Sequence, residues 1–69
     1  MVQMLQYRSY RGSIVWSAED SVLHGNLLGL RSMITYEGAE MSALESNFQA
    51  AVDEYLAFCA AEKLVPELP

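Results

Sequence analysis

The sequence predicts an α+β fold in which a small antiparallel sheet of about three or four strands is followed by one long amphipathic helix. Two patterns support this prediction. Residues 2–36 contain short runs of strand-forming residues separated by polar or glycine-containing turns. Residues 41–63 instead repeat large apolar side chains at helical spacing. We therefore expect the order β-β-β-(β)-α, followed by a frayed tail at residues 64–69.

The length and composition of the chain limit its organisation. A chain of 69 residues is expected to form a single domain, residues 1–69. A domain of this size buries only ~60 % of its unfolded surface, so a monomer is marginally stable. Because 52% of the residues are nevertheless hydrophobic, we expect part of the apolar surface to lie in an interface. The prediction is a homodimer, a higher oligomer or a complex with an obligate partner.

The first strands are expected within residues 2–17, which are rich in Val, Leu, Ile, Tyr and Trp. A turn inside this stretch fits either at Arg8-Ser9 or at Arg11-Gly12. Gly12 is the better turn residue because glycine tolerates positive φ. Each position implies a different strand register.

A hairpin and a further strand are expected next. Residues 17–21 are polar and predict a turn that joins the first strands to the apolar run at 22–28. Gly25, inside that run, indicates a bulge or a close backbone approach. Residues 33–36 predict a further short strand, and Glu37-Gly38 predicts the turn into the helix.

The predicted helix has one narrow apolar stripe. At ~100° per residue, this stripe contains Met41, Leu44, Phe48, Val52, Tyr55 and Cys59. Glu40 is the expected N-cap residue, and Ser42 is a rival. Lys63 places positive charge at the C-terminal end of the helix dipole, and Pro66 prevents continuation of the helix.

The opposite face of the helix carries Ala43, Ala50, Ala57 and Ala61. Alanine favours a helix in any context, which accounts for these residues without a function. The alternative is a flat surface that lets another helix or strand approach closely. Phe58 lies between the two faces, where the core stripe does not require it, so it is a candidate interface residue.

The charge of the chain favours a protein partner over nucleic acid. Nine acidic and four basic residues give a net charge of −5. Direct nucleic-acid binding is not expected, because phosphates require lysine and arginine opposite them. The acidic surface either provides solubility or binds a basic partner.

No pattern in the chain indicates catalysis, a metal site or a cofactor. His24 has only Asp20-Ser21 nearby in sequence, so a packed or hydrogen-bonded histidine is the simpler interpretation. The sequence has no cluster of His and Cys for a metal and no glycine spacing for a phosphate. Asp53 and Glu54 point ~100° apart on a helix and do not converge. We therefore expect that the protein is not an enzyme.

The cysteine and the N-terminus suggest where the protein is found. Cys59 is the single cysteine, so no intramolecular disulfide forms, and its place on the apolar stripe predicts a small buried hydrophobe. The first residues lack the charged start and apolar core of a signal peptide. No run approaches the ~18 apolar residues of a membrane span. We expect a cytoplasmic protein that does not bind a membrane.

Several spaced segments form a recognisable succession. An acidic turn at residues 19–20 leads into a run ending in Gly-Leu at 29–30, and Ile-Thr-Tyr-Glu-Gly follows at 34–38. The helix then contains Ala-Val-Asp-Glu-Tyr-Leu at residues 51–56. This succession closely resembles the N-terminal domain of HicB-family antitoxins, including HicB-like orphan proteins. The match spans residues 7–66 without a gap.

The resemblance implies a partial ribonuclease-H-like fold that lacks the catalytic carboxylates of that nuclease. It also implies a role in a bacterial toxin–antitoxin system, in which the domain binds a small basic HicA-type toxin that cleaves RNA. Typical relatives add a C-terminal DNA-binding module, which this chain is expected to lack because it stops at Pro69. Ser9 and Ser32 also depart from the pattern, at positions where many relatives have glycine and an acidic residue.

Three functional hypotheses follow. In the first, the domain covers the active face of a HicA-type toxin. The expected contact residues are Glu19, Asp20, Tyr36, Glu37, Asp53, Glu54 and Phe58. The simpler interpretation of these residues is that they only form a solvated surface. In the second, the protein is a homodimeric structural or interaction module without a toxin partner. The third, a nuclease with a degraded ribonuclease-H core, is disfavoured because no set of carboxylates in the sequence suits Mg²⁺.

Overall fold

A computed structural model describes residues 4–68 of the protein. The elements are β1 (Leu5–Tyr7), β2 (Tyr10–Gly12), β3 (Val15–Ser17), β4 (Val22–Asn26), β5 (Thr35–Gly38) and α1 (Met41–Ala61). The strands form two antiparallel sheets, β1-β2 and β3-β4-β5, which a bridge between Gly12 and Leu27 connects. The α+β class is confirmed, although the strands are grouped into two sheets and not one. The predicted strand start at residue 2 lies outside the described residues.

The turn between β1 and β2 is at Arg8-Ser9, so the preference for Arg11-Gly12 was wrong. Tyr7 pairs with Tyr10, and the two residues between them have φ values of 51° and 70°. Two consecutive positive φ values are typical of a type I′ turn, whose twist matches that of a hairpin. Gly12 instead lies in β2, where an added Cβ would lie 2.8 Å from the ring of Phe48. Glycine is therefore required there by packing and not by a turn.

Replacing Ser9 by glycine is expected to stabilise the protein by about 0.5–1 kcal/mol, because the φ of Ser9 lies where only glycine is unstrained. Urea unfolding of the wild type, Ser9→Gly and Ser9→Ala measures this gain. Alanine has the same steric conflict as serine and serves as the control. Equal stability of all three proteins would contradict a left-handed conformation at this position.

The polar turn at residues 17–21 joins β3 and β4 as predicted, and Ser17 pairs with Val22. Strand β4 ends at Asn26, before the predicted residue 28. Gly25 marks a close backbone approach, one of its two predicted roles: an added Cβ would lie 1.9 Å from the carbonyl oxygen of Ser13.

Strand β5 begins and ends later than predicted, at Thr35–Gly38. The expected turn at Glu37-Gly38 is therefore wrong, because both residues belong to the strand. Gly38 pairs with Leu23, and an added Cβ on it would lie 2.4 Å from the backbone nitrogen of Leu44. This glycine lets the first turn of α1 pack directly on the end of β5.

The helix begins at Met41 as predicted and ends at Ala61, before the predicted residue 63. Glu40 has the extended backbone of an N-cap residue, with φ −144° and ψ 171°, although its side chain makes no capping hydrogen bond. Lys63 follows the helix in a left-handed conformation with φ 57°. The predicted apolar stripe is buried at Leu44, Phe48, Val52 and Cys59, whereas Tyr55 is half-buried and Met41 is exposed.

One hydrophobic core joins both sheets to the helix. Its buried side chains are Leu5, Tyr10, Leu27, Tyr36, Leu44, Phe48 and Val52. The rings of Tyr36 and Phe48 pack edge to face, with centroids 5.3 Å apart. Phe48 therefore holds the long helix over the middle of the structure, next to both β2 and β5.

The tail after the helix is held against the body, so its description as a frayed end was wrong. The Glu67 carboxylate accepts hydrogen bonds from the N–H of Arg31 at 2.7 Å and from the hydroxyl of Ser32 at 2.7 Å. The backbone N–H of Glu67 donates to the Tyr55 hydroxyl at 2.8 Å, and its carbonyl accepts from the Tyr10 hydroxyl. One residue thus connects the tail to a loop, to the helix and to β2.

The carboxylate of Glu67 makes the docking of the tail sensitive to acid. The N–H of Arg31 and the hydroxyl of Ser32 lower the pKa of Glu67 below its ordinary value of 4.5. A lowered folded-state pKa stabilises the folded protein above the ordinary pKa, and this stability is lost as the pH falls through the folded-state value. Glu67→Gln is therefore expected to destabilise the protein at pH 7, and to match the wild type in strong acid.

Urea unfolding from about pH 7 down to about pH 2 tests this prediction. Glu62→Gln is the control, because the exposed side chain of Glu62 makes no hydrogen bond within the described residues. An unchanged difference between Glu67→Gln and the wild type across this range would contradict the role of the carboxylate.

Candidate protein-binding site

An open groove of about 240 Å³ lies between the start of β5 and the C-terminal half of α1. Its lining consists of Ile34, Thr35, Ala51, Glu54, Tyr55 and Phe58. Glu54 and Phe58 are four residues apart, so helical geometry places them on one face. Ala51 precedes them on the same side, and its small side chain leaves the space of the groove free.

Phe58 is the most conspicuous residue of this groove. Its side chain is 57% exposed, whereas Phe48 on the same helix is 1% exposed. Aromatic residues are enriched at protein interfaces, so this exposed ring is the candidate contact residue of the groove. The prediction that Phe58 lies outside the core is confirmed.

A second recess adjoins the groove at Thr35, on the face of the sheet away from the helix. It has a volume of about 380 Å³ and is lined by His24, Thr35, Tyr36 and Glu37. Thr35 lines both concavities, so the carboxylates of Glu37 and Glu54 lie on either side of it. No lysine or arginine is among the lining residues of either concavity. We call the residues that line the groove and this recess together the β5 surface.

Asp53 is adjacent to Glu54 in sequence but is not part of the β5 surface. Its carboxylate accepts a hydrogen bond from the Tyr7 hydroxyl at 3.1 Å and lies 3.4 Å from the Arg8 guanidinium. In the described part of the chain this is the one ion pair within 4 Å. Asp53 thus stabilises the β1–β2 turn against the helix.

Tyr36 was predicted to contact a partner, and its position does not fit that role. The residue is 7% exposed, and its hydroxyl donates to the Ser13 carbonyl at 2.9 Å. Burial raises the pKa of Tyr36 to about 12. On β5 the side chains alternate between faces, so Tyr36 points into the core while Thr35 and Glu37 point to solvent.

The acidic residues of the β3–β4 turn are at the other end of the sheet. Glu19 and Asp20 are exposed, and the backbone N–H of Asp20 donates to the Ser17 hydroxyl at 3.4 Å. The turn follows Ser17, beside the end of β5 where α1 begins, whereas the groove is at the start of β5. The structure therefore brings Glu54 and Phe58 together in the groove and places Glu37 in the adjoining recess, whereas Glu19 and Asp20 lie in the turn.

Sequence reasoning missed Ile34 and Thr35 as site residues. Both were assigned to a strand, but their place at an open edge depends on the pairing of β5 with β4. A third concavity, a cleft of about 430 Å³, was missed as well. It lies between the β1–β2 turn and the tail, and is lined mainly by Ser9, Tyr10, Leu56, Val65, Pro66 and Leu68.

Within residues 4–68, no three His, Cys, Asp or Glu side chains form a group suited to a metal ion. Cys59 is a buried free thiol, and His24 is exposed on the sheet. In that same part of the chain, no helix combines the length and the apolarity that are needed to cross a membrane.

Comparison of the chain with protein-family models, curated proteins and solved structures gave no match. The resemblance to HicB-family antitoxins therefore rests on the spaced residues of the sequence itself.

Proposed function

We propose that this protein is a protein-binding domain of the antitoxin kind, which neutralises a small basic RNA-cleaving protein of the HicA type by covering its active face. The observation that carries the proposal is the exposed ring of Phe58 beside Glu54, in a groove whose lining contains no cation. A basic protein supplies the complementary charge. Such a role requires binding only and no catalysis by this chain.

The charge distribution supports a basic partner. The chain carries a net charge of −5, and Arg8 is paired with Asp53. Exposed carboxylates at Glu37 and Glu54 attract a cationic surface and accelerate its encounter with the domain. Phe58 then contributes the desolvated contact from which most of the affinity is expected.

The proposal predicts a neighbouring short open reading frame that encodes a basic protein with one histidine. An RNA-cleavage assay with that protein tests the proposal. Cleavage is expected to stop near equimolar antitoxin, and Phe58→Ala is expected to raise the required concentration about tenfold or more. Glu19→Gln, at the far end of the sheet, is the control. Undiminished cleavage at excess wild-type protein would rule out neutralisation.

A homodimeric interaction module is the second candidate, and one observation favours it. Strand β3 is an edge strand, and its Val15 and Trp16 are 46% and 57% exposed. Exposed edges with large apolar side chains are typical sites of self-association. Sedimentation equilibrium of the wild type and Trp16→Ala tests this candidate. A wild-type monomer at high concentration would exclude it.

A further inference from the structure

The free edge of β5 indicates how a partner binds to the β5 surface. We infer that the partner adds an extended basic strand to this edge, in antiparallel or parallel pairing with β5. The inference rests on the proposed function, because it describes the binding mode at the same surface. Strand addition to an exposed sheet edge is one of the recurring modes of peptide recognition.

The hydrogen-bond pattern of the sheet shows which groups of β5 face outward. The N–H of Leu27 donates to the carbonyl of Ile34 at 2.9 Å, so these residues form a hydrogen-bonded pair. An antiparallel ladder alternates between hydrogen-bonded and non-hydrogen-bonded pairs. In the register of β4 and β5, Thr35 and Glu37 consequently occupy non-hydrogen-bonded positions. Their backbone N–H and C=O groups point away from β4, towards the open edge.

These outward groups are mostly unpaired. The Glu37 carbonyl accepts a hydrogen bond from the side-chain amide of Asn47. Among residues 4–68, no hydrogen bond involves the N–H or C=O of Thr35 or the N–H of Glu37. Asn47 therefore closes one end of the edge, and a row of unpaired backbone groups extends from there towards the groove. An edge of this kind is a template for another strand.

The groove beside this edge suits the side chains of an added strand. Successive side chains of a strand point to opposite faces, so one set would lie in the groove against Ala51 and Phe58. The exposed carboxylate of Glu54 lies on the groove, and that of Glu37 lies beyond Thr35. A strand that alternates apolar and cationic residues places its apolar side chains in the groove and its cationic side chains on the face of Glu37, and Glu54 adds attraction for the positive charge of the strand as a whole.

A second copy of this chain is a poorer occupant than a basic partner. Pairing β5 with its symmetry mate would bring Glu37 and Glu54 of both copies to one shared edge. Like charges across paired strands destabilise the pairing, and the lining residues of this surface supply no lysine or arginine to offset them. The charge of the surface therefore selects a cationic strand.

The probe is an acetylated and amidated peptide of alternating lysine and valine, titrated into the full chain and followed by amide hydrogen exchange. The N–H groups of Thr35 and Glu37 are expected to exchange quickly in the free protein and to be protected at least about tenfold when the peptide is bound. A glutamate–valine peptide of equal length is the charge control. A peptide methylated at the backbone nitrogens of both its lysines and its valines is the backbone control, because it retains charge but has no N–H to donate along either edge.

Two variants of Thr35 separate strand pairing from simple surface contact. Thr35→Pro removes an outward N–H that makes no bond to β4, so the β4–β5 ladder is retained, as is usual for proline on an edge strand. It is expected to weaken peptide binding about tenfold or more, whereas Thr35→Val is expected to bind like the wild type. Unfolding curves of both variants check that they fold. The N-methylated peptide tests strand pairing on the wild-type protein, without any substitution.

The outcomes distinguish this inference from the proposed function. Protection of the two amides that is lost with N-methylation supports strand addition. Equal binding of the N-methylated peptide overturns strand addition but leaves toxin neutralisation by the same surface intact. Toxin neutralisation without any binding of the lysine–valine peptide likewise overturns strand addition and leaves the proposed function intact. A Glu37 amide that is already protected in a wild-type dimer, and exposed in a monomeric Thr35→Pro variant, would assign the edge to a second copy and overturn the basic partner.

Discussion

Replacing Phe48 by alanine is expected to lower the free energy of unfolding by about 3–5 kcal/mol. The side chain is 1% exposed and packs against the ring of Tyr36 and against Gly12. Its removal leaves a cavity where the helix meets both sheets, and so short a domain has few other contacts with which to close it. Since domains of this size are stable by only about 3–10 kcal/mol, much of the variant is expected to be unfolded at room temperature.

Phe58→Ala is the matched control, because it makes the same chemical change on the same helix at a 57% exposed position. It is expected to cost about 1 kcal/mol or less. Urea unfolding followed by circular dichroism compares the two variants. Similar losses in both would mean that Phe58 is a core residue, which would remove the main support for the binding surface.

Replacing Gly25 by alanine is expected to cost about 3 kcal/mol or more, although it adds only one methyl group. The new Cβ would lie 1.9 Å from the Ser13 carbonyl oxygen. That carbonyl cannot retreat freely, because it accepts the hydrogen bond of the Tyr36 hydroxyl. The N–H of Ser13 is also held, by the Asn26 carbonyl at 3.1 Å. The methyl group therefore disrupts the junction between the two sheets.

Gly29→Ala is the control for this prediction. Gly29 is exposed and has a φ of 77°, so alanine there meets backbone strain but no packing conflict, at a cost of about 1 kcal/mol. Thermal unfolding of both variants gives the comparison. A Gly25→Ala variant as stable as Gly29→Ala would show that the backbone of Ser13 moves aside easily.

The helix and its buried face were predictable from the sequence because they depend on local spacing. Leu44, Phe48 and Val52 recur at helical intervals, and any structure that buries one of them buries the others. The exposed position of Phe58 was predictable for the same reason, since it falls outside that stripe. The polar hairpin turn at residues 17–21 was likewise a local signal.

The roles of the glycines were not predictable in full, because they depend on what lies across from each one. Gly12 and Gly38 both suggested turns, yet each lies in a strand at a point where the helix or its side chains approach. The actual turn at Arg8-Ser9 uses positive φ at residues that rarely adopt it. At these two glycines, the close contacts of the core decided the structure, and the turn propensity of glycine did not.

The sequence by itself determined the α+β class, the helix and the side chains that the helix buries, because these follow from the periodicity of neighbouring residues. Only the tertiary structure decided which of the predicted contact residues form one surface. It paired Asp53 with Arg8, buried Tyr36, and brought Glu37 and Glu54 to either side of Thr35. The physical reason is that strand register and the packing of the helix on β5 join residues distant in the chain, and local spacing carries no information about either.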